Sequence, residues 1–110
     1  MPSIKRPKRI ENKQHDPFYD SAHWRSLSKY HKATNPFCSQ CGNIGHVCDH
    51  ILPRRLFPEL ELIKDNLQTL CIKCDQTKRQ EERWITTRQE ALEKLKKYLN
   101  TELLRLVVII

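Results

Sequence analysis

The chain has 110 residues, 20 lysines and arginines against 13 aspartates and glutamates, a net charge of +7 and a pI near 9.3. That length holds one small domain and a tail, buries only about two thirds of its unfolded surface, and therefore gains from a staple. Two glycines and three phenylalanines exclude a large β-barrel or a wide aromatic core. With no apolar leader and no run of about 20 apolar residues, the expectation is a soluble, cytoplasmic chain with no membrane partner. The basic balance points to a polyanion, with nucleic acid the simplest partner.

Lys5, Arg6, Lys8, Arg9 and Lys13 crowd residues 1–17 together with Pro2 and Pro7. This composition predicts a basic, flexible arm that lies along phosphates when bound, or a solvated tail that aids solubility. After Pro17-Phe18-Tyr19, Asp20 or Ser21 can accept from the first free amides of a helix. Its apolar stripe is Trp24, Leu27 and Tyr30 or His31, and it should end near Asn35-Pro36, because proline disfavours helical geometry in the residue before it. His23 and His31 stand eight residues apart on this helix among aromatic neighbours, which favours surface or packing roles over a metal site.

Cys38-Ser-Gln-Cys41 forms half of a metal knuckle, and Gly42 and Gly45 turn the chain into a short strand over His46 to Ile51. Asp49 and His50 fall at the end of that strand, where two adjacent side chains can reach one centre. Cys48 reads as a small packed thiol and His46 as a strand-face histidine without a catalytic part. Pro53 to Leu62 is an irregular loop in which Arg54 and Arg55 are either phosphate contacts or a solvated charge pair. Asn66 to Leu70 returns as a second strand, delivering Cys71 and Cys74, and Asp75 opens a helix through Lys78, Arg79 and Arg83.

Beyond it, Thr87-x-x-Glu90 is a capping-box pattern. Leu92, Leu95, Leu99, Leu103, Leu106 and Ile110 follow at spacings of three and four, predicting one amphipathic helix over 86–110. Its apolar end can pack on the domain or dock on a partner or a second copy. The β-branched stretch Val107 to Ile110 can also leave the helix as a strand.

Four of the five cysteines form two CxxC pairs, the donor set of a structural, tetrahedral Zn²⁺ site in a reducing compartment. Such a site contributes on the order of 10 kcal/mol to folding. Asp49, His50, Asn66 and Asp75 are oxygen and imidazole groups instead, suited to a hard divalent ion and to moving a proton. The fold class is small α+β, organised around the cysteines.

The order Asp49-His50, then Asn66 within Asp65-Asn66-Leu67-Gln68-Thr69-Leu70-Cys71, then Cys74-Asp75-Gln76-Thr77-Lys78, threaded between knuckle cysteines, resembles the HNH endonuclease family from about Phe18 to Arg79. The resemblance extends to Tyr19, Trp24 and Arg25 ahead of Asn35-Pro36-Phe37-Cys38, as in phage and bacterial members. It implies a ββα-metal unit built around a four-cysteine structural zinc site with flanking helices, occupying 18–85, followed by a helical tail over 86–110. The implied activity is metal-dependent hydrolysis of DNA phosphodiester bonds, by nicking or by cutting both strands. Some relatives work beside the terminase in DNA packaging, and others are homing or restriction nucleases.

By the same resemblance, His50 is the general base, Asn66 orients its imidazole, and Asp49 and Asp75 hold one Mg²⁺ or Mn²⁺. Arg54, Arg55, Lys78 and Arg79 position the DNA backbone. The family usually closes with Cys-His-Asn-x-x-Lys, and here the last His is Asp75; a carboxylate is itself a ligand for Mg²⁺ or Mn²⁺. Two rivals stay open: a non-catalytic zinc-dependent nucleic-acid-binding protein, and an adaptor that docks through its apolar C-terminus.

Overall fold

The computed structural model describes residues 16–109; the basic cluster from Lys5 to Lys13 lies outside them. Helix α1 (Ala22–Thr34) opens at Ser21, whose hydroxyl accepts from the Trp24 amide at 3.3 Å. It stops at Asn35, whose amide donates to His31 O at 2.8 Å before Pro36 prevents another turn. Both ends match the sequence. The stripe is narrower than expected, because Trp24 is buried and Leu27 half-buried while Tyr30 is 69% exposed.

Strands β1 (Val47–His50) and β2 (Leu67–Leu70) pair antiparallel, with Val47 opposite Leu70 and His50 opposite Leu67. The sheet ends at His50, so Asp49 and His50 stand where the chain leaves the ladder, as the sequence suggests. The intervening loop carries two 3₁₀ turns, Pro58–Leu60 and Lys64–Asn66. Helix α2 (Ile72–Glu82) starts directly after β2, and Cys71 is its N-cap.

Both knuckle glycines are needed, for different reasons. Gly42 has φ +79°, in the left-handed region that side chains disfavour. Gly45 lies against β2: a Cβ there would stand 2.1 Å from Thr69 Cγ2 and 3.1 Å from Pro36 O. Gly45→Ala should push the knuckle off the sheet and cost roughly 1–3 kcal/mol, read as a lower Tm in zinc-replete buffer.

The C-terminal segment departs from the expected single helix. It forms α3 (Arg88–Lys94), a 3₁₀ turn at Lys96–Tyr98 and α4 (Thr101–Ile109). The reason is Asn100. Its Oδ1 accepts from the Leu103 amide at 2.7 Å, starting a new helix, and its Nδ2 donates to Asp65 O at 3.0 Å, tethering the bend to the loop before β2. The Thr87 cap holds as read, with its hydroxyl accepting from Glu90 N at 3.1 Å. Val107 stays helical within α4 rather than joining a sheet.

The main core gathers Ile51, Leu52, Phe57 and Leu60 from the loop with Ile85 and with Ala91, Leu95, Tyr98 and Leu103 from the tail. Burying each large side chain contributes roughly 1.5–3 kcal/mol, so the tail through Leu103 is held against the domain. Arg88 reinforces it, pairing with Glu59 at 2.7 Å while its guanidinium lies 4.8 Å from the Phe57 ring. Leu104 on α4 remains exposed. Among the described residues, no helix is long and apolar enough to cross a membrane.

Candidate active site and metal centres

A second, smaller cluster consists of Cys38, Leu70 and Cys71 with Cys74 against it. The knuckle supplies Cys38 and Cys41, and the first turn of α2 supplies Cys71 and Cys74. All four are free thiols whose Sγ atoms lie within 4.8 Å of one another, with Cys41 and Cys71 3.6 Å apart. A tetrahedral zinc with bonds of about 2.3 Å needs sulfurs about 3.8 Å apart, so this group fits such an ion.

Burial alone would raise the Cys38 thiol, but amides of Cys71, Cys41 and Gln40 outweigh it and bring it down to about 6. Crowding against the Cys71 thiol pushes Cys74 up to about 12. Four thiols so close cannot all ionise unless a cation shares the space, and the donor set therefore calls for one.

Asp49, His50 and Asp75 line a cleft of about 610 Å³, together with Arg54, Arg55 and Arg79. The His50 ring is buried and stacked on Trp24, with centroids 4.6 Å apart and planes 23° from parallel. Its Nε2 lies 2.9 Å from Glu61 O. A carbonyl only accepts, so Nε2 carries the proton and the neutral ring keeps its lone pair on Nδ1. Burial is the largest influence on this imidazole and, with Lys78 adding to it, lowers its pKa against the pull of the Glu61 carbonyl and Asp49.

A histidine with a lowered folded pKa favours the neutral fold, so stability is lost as pH falls through the ordinary value of about 6.5. NMR titration of the zinc-loaded protein should find the His50 ring neutral at pH 7, protonating only below about 6.5.

Among the hydrogen bonds described, the Asn66 side chain makes none to His50, whereas the sequence reading has it orient the imidazole directly. It is fully buried, its Oδ1 accepts from Leu52 N at 2.8 Å, and its Nδ2 donates to Leu52 O at 3.1 Å and Leu60 O at 3.4 Å. It closes the loop that carries the Glu61 carbonyl, and so acts on the imidazole at one remove. Asp49 Oδ2 accepts from Gln68 Nε2 at 3.0 Å. Asp75 is also buried, and its Oδ2 meets Arg79 Nε at 3.0 Å. Two largely buried carboxylates facing one cleft are hard oxygen donors of the type that Mg²⁺ and Mn²⁺ take. Among the described residues, only the cysteines form a tight cluster of three or more ligand-type groups, and the carboxylates are a pair beside the imidazole.

Two of the four expected phosphate contacts are placed otherwise. Lys78 is fully buried and faces inward to Asp49, Glu82 and His50 O, out of reach of a substrate backbone. Arg54 is committed to Asp16 and, at 3.0 Å, to Glu61, with its guanidinium 4.4 Å from the Phe18 ring. Arg55 and Arg79 are exposed. Cys48 is the packed thiol expected, with burial pushing it up to about 12, and His46 is an exposed residue on the cleft wall.

Sequence reasoning missed the parts played by Glu61, Gln68 and Glu82. Gln68 was within reach, because it pairs directly across from Asp49. Glu61 contributes a main-chain carbonyl, which no side-chain pattern marks.

Residues 38–81 match the family model described as HNH endonuclease. No curated protein sequence matches the chain. Among solved structures, the HNH endonuclease of the deep-sea thermophilic bacteriophage GVE2, determined with manganese ion, has a TM-score of 0.59 at 32% identity, covering 66% of this chain and 86% of that one. The fold thus recurs over most of the length of that relative, and the chain belongs to the HNH endonuclease family, a nuclease that hydrolyses phosphodiester bonds.

Proposed function

We propose that the protein is a metal-dependent DNA endonuclease with Zn²⁺ held by Cys38, Cys41, Cys71 and Cys74 and one Mg²⁺ or Mn²⁺ held by Asp49 and Asp75. The observation that carries this reading is the state of His50, a buried imidazole on the cleft with Nε2–H fixed to Glu61 O and Nδ1 left basic at neutral pH. His50 Nδ1 takes a proton from water, the water oxygen attacks phosphorus, and the bond to the 3′ oxygen breaks. When bound, the ion would offset charge on the phosphate and on the departing oxygen.

Trp24 holds the ring by stacking, and Asn66 holds the loop that orients it. Arg55 and Arg79, with Lys32 beside them, are exposed cations on the cleft wall for the backbone, while Arg54 braces Glu61. Asp75, as a carboxylate in place of imidazole, shifts the site toward hard ions such as Mg²⁺ and Mn²⁺.

The domain reading that goes with this is a basic arm over 1–17 along the DNA, a nuclease unit over 18–85 and a helical tail over 86–110 that also completes the core. One centre nicks one strand, and cutting both takes a second copy or a partner. The exposed Leu104 on α4 supports docking at the tail, either of a second copy or of a terminase in phage DNA packaging within the host cytoplasm.

Supercoiled plasmid incubated with zinc-loaded protein tests the reading. Conversion to nicked or linear forms is expected with Mn²⁺ or Mg²⁺ and not without. Salt-sensitive binding with no cleavage under any divalent ion would favour the non-catalytic binding module.

A further inference from the structure

Lys78 sits on the inner face of α2 with no exposed surface. A buried ammonium persists only where its charge and its donors are matched. Here Nζ meets three acceptors, His50 O at 2.9 Å, Asp49 Oδ2 at 3.0 Å and Glu82 Oε2 at 2.7 Å. The first two belong to the residues on which the proposed chemistry turns, and the third lies one turn further along the same helix.

Asp49 Oδ2 also accepts from Gln68 Nε2 at 3.0 Å. An oxygen that already faces an ammonium and an amide is a poor donor to a cation. Asp49 Oδ1 is the oxygen left for that task. We infer that Lys78 is the positioning residue of the divalent-ion site, presenting Asp49 to the ion through Oδ1 alone while anchoring the His50 carbonyl with the same ammonium. Ligand and base are thereby held at a fixed separation. Glu82 cancels the charge of Lys78, so the pair adds geometry to the cleft without adding net charge. This inference rests on the nuclease reading of the cleft.

The test is a Mn²⁺ titration of the full-length, zinc-loaded chain, with free Mn²⁺ read by its electron paramagnetic resonance signal. Lys78→Met with Glu82→Gln removes one charge of each sign and nearly preserves volume, so a change in Mn²⁺ affinity reads position rather than charge. We expect zinc content and the thermal transition to be kept, Mn²⁺ affinity to fall roughly 10–100-fold, and kcat for plasmid to fall with KM for DNA unchanged. Gln68→Leu frees the same oxygen from its other side without touching the buried ammonium, and should weaken Mn²⁺ binding in the same direction. Mn²⁺ affinity equal to the wild type in either folded variant overturns the inference. A wild type that binds no Mn²⁺ at all overturns the functional reading first, and this inference with it.

Discussion

His50→Ala is expected to slow Mn²⁺-dependent cleavage by roughly 10²–10⁴-fold, the range that a positioned general base supplies. No other imidazole on the cleft has its ring fixed by a carbonyl among the hydrogen bonds described, since His46, exposed just ahead of β1, donates to Leu70 O through its backbone amide and not its ring. The variant should keep its zinc, because the cysteines stand on the knuckle and the first turn of α2. It should also keep its affinity for duplex DNA, because Arg55 and Arg79 are untouched. Its Tm should drop modestly, since Trp24 loses the ring stacked on it. Single-turnover cleavage and electrophoretic mobility shift, run side by side, check the two halves. Cleavage at the wild-type rate would remove His50 from the chemistry, and loss of binding together with cleavage would make its role structural.

Stripping the zinc has the larger effect on folding. A structural site of this kind contributes on the order of 10 kcal/mol, comparable to the whole stability of a small domain, about 5–15 kcal/mol. Without the metal the knuckle rests mainly on hydrogen bonds, among them Ser39 N to Thr69 O at 2.9 Å, Ser39 Oγ to Gln68 Oε1 at 2.8 Å, Cys38 N to Asn43 O at 2.6 Å and Gly45 N to Pro36 O at 2.7 Å, while Phe37 and Ile44 beside it are exposed. A chelator strong enough to remove zinc should abolish the cooperative thermal transition, and added Zn²⁺ should restore it. Cys71→Ser should reproduce the loss through the missing thiolate ligand alone, because a serine hydroxyl can still accept from Cys74 N and keep the cap of α2. Circular dichroism during stripping and reloading is the measurement. An unchanged Tm after verified zinc removal would show that the packing of Leu52, Phe57 and Leu95 suffices alone.

What the sequence conveyed and what it withheld divide along physical lines. Ser21, Asn35-Pro36, the two CxxC pairs and the glycine turn and proline-interrupted loop that bound the short strands are local signals, and the helix start, the helix stop, the thiol cluster and the β1–β2 pair follow them closely. Asp49, His50 and Asp75 meet in one cleft because the strand end and the start of α2 are fixed by the neighbouring cysteines. The misplaced parts depend on tertiary contacts. Asn100 reads as a tolerable helix residue until Asp65 O is there to bind it. Lys78 reads as a surface cation until α2 docks on β1 and turns it toward Asp49. Asn66 reads as the partner of the imidazole by motif position alone, whereas its buried amide closes the loop instead.

The most direct measurement is anomalous diffraction from crystals of the zinc-loaded protein soaked in Mn²⁺, with data on both sides of the zinc edge. A zinc peak is expected among Cys38, Cys41, Cys71 and Cys74, with a separate manganese peak in the cleft, bonded to Asp49 Oδ1 and Asp75 beside His50. Manganese found only among the cysteines, or bound away from Asp49 and Asp75, would contradict this assignment.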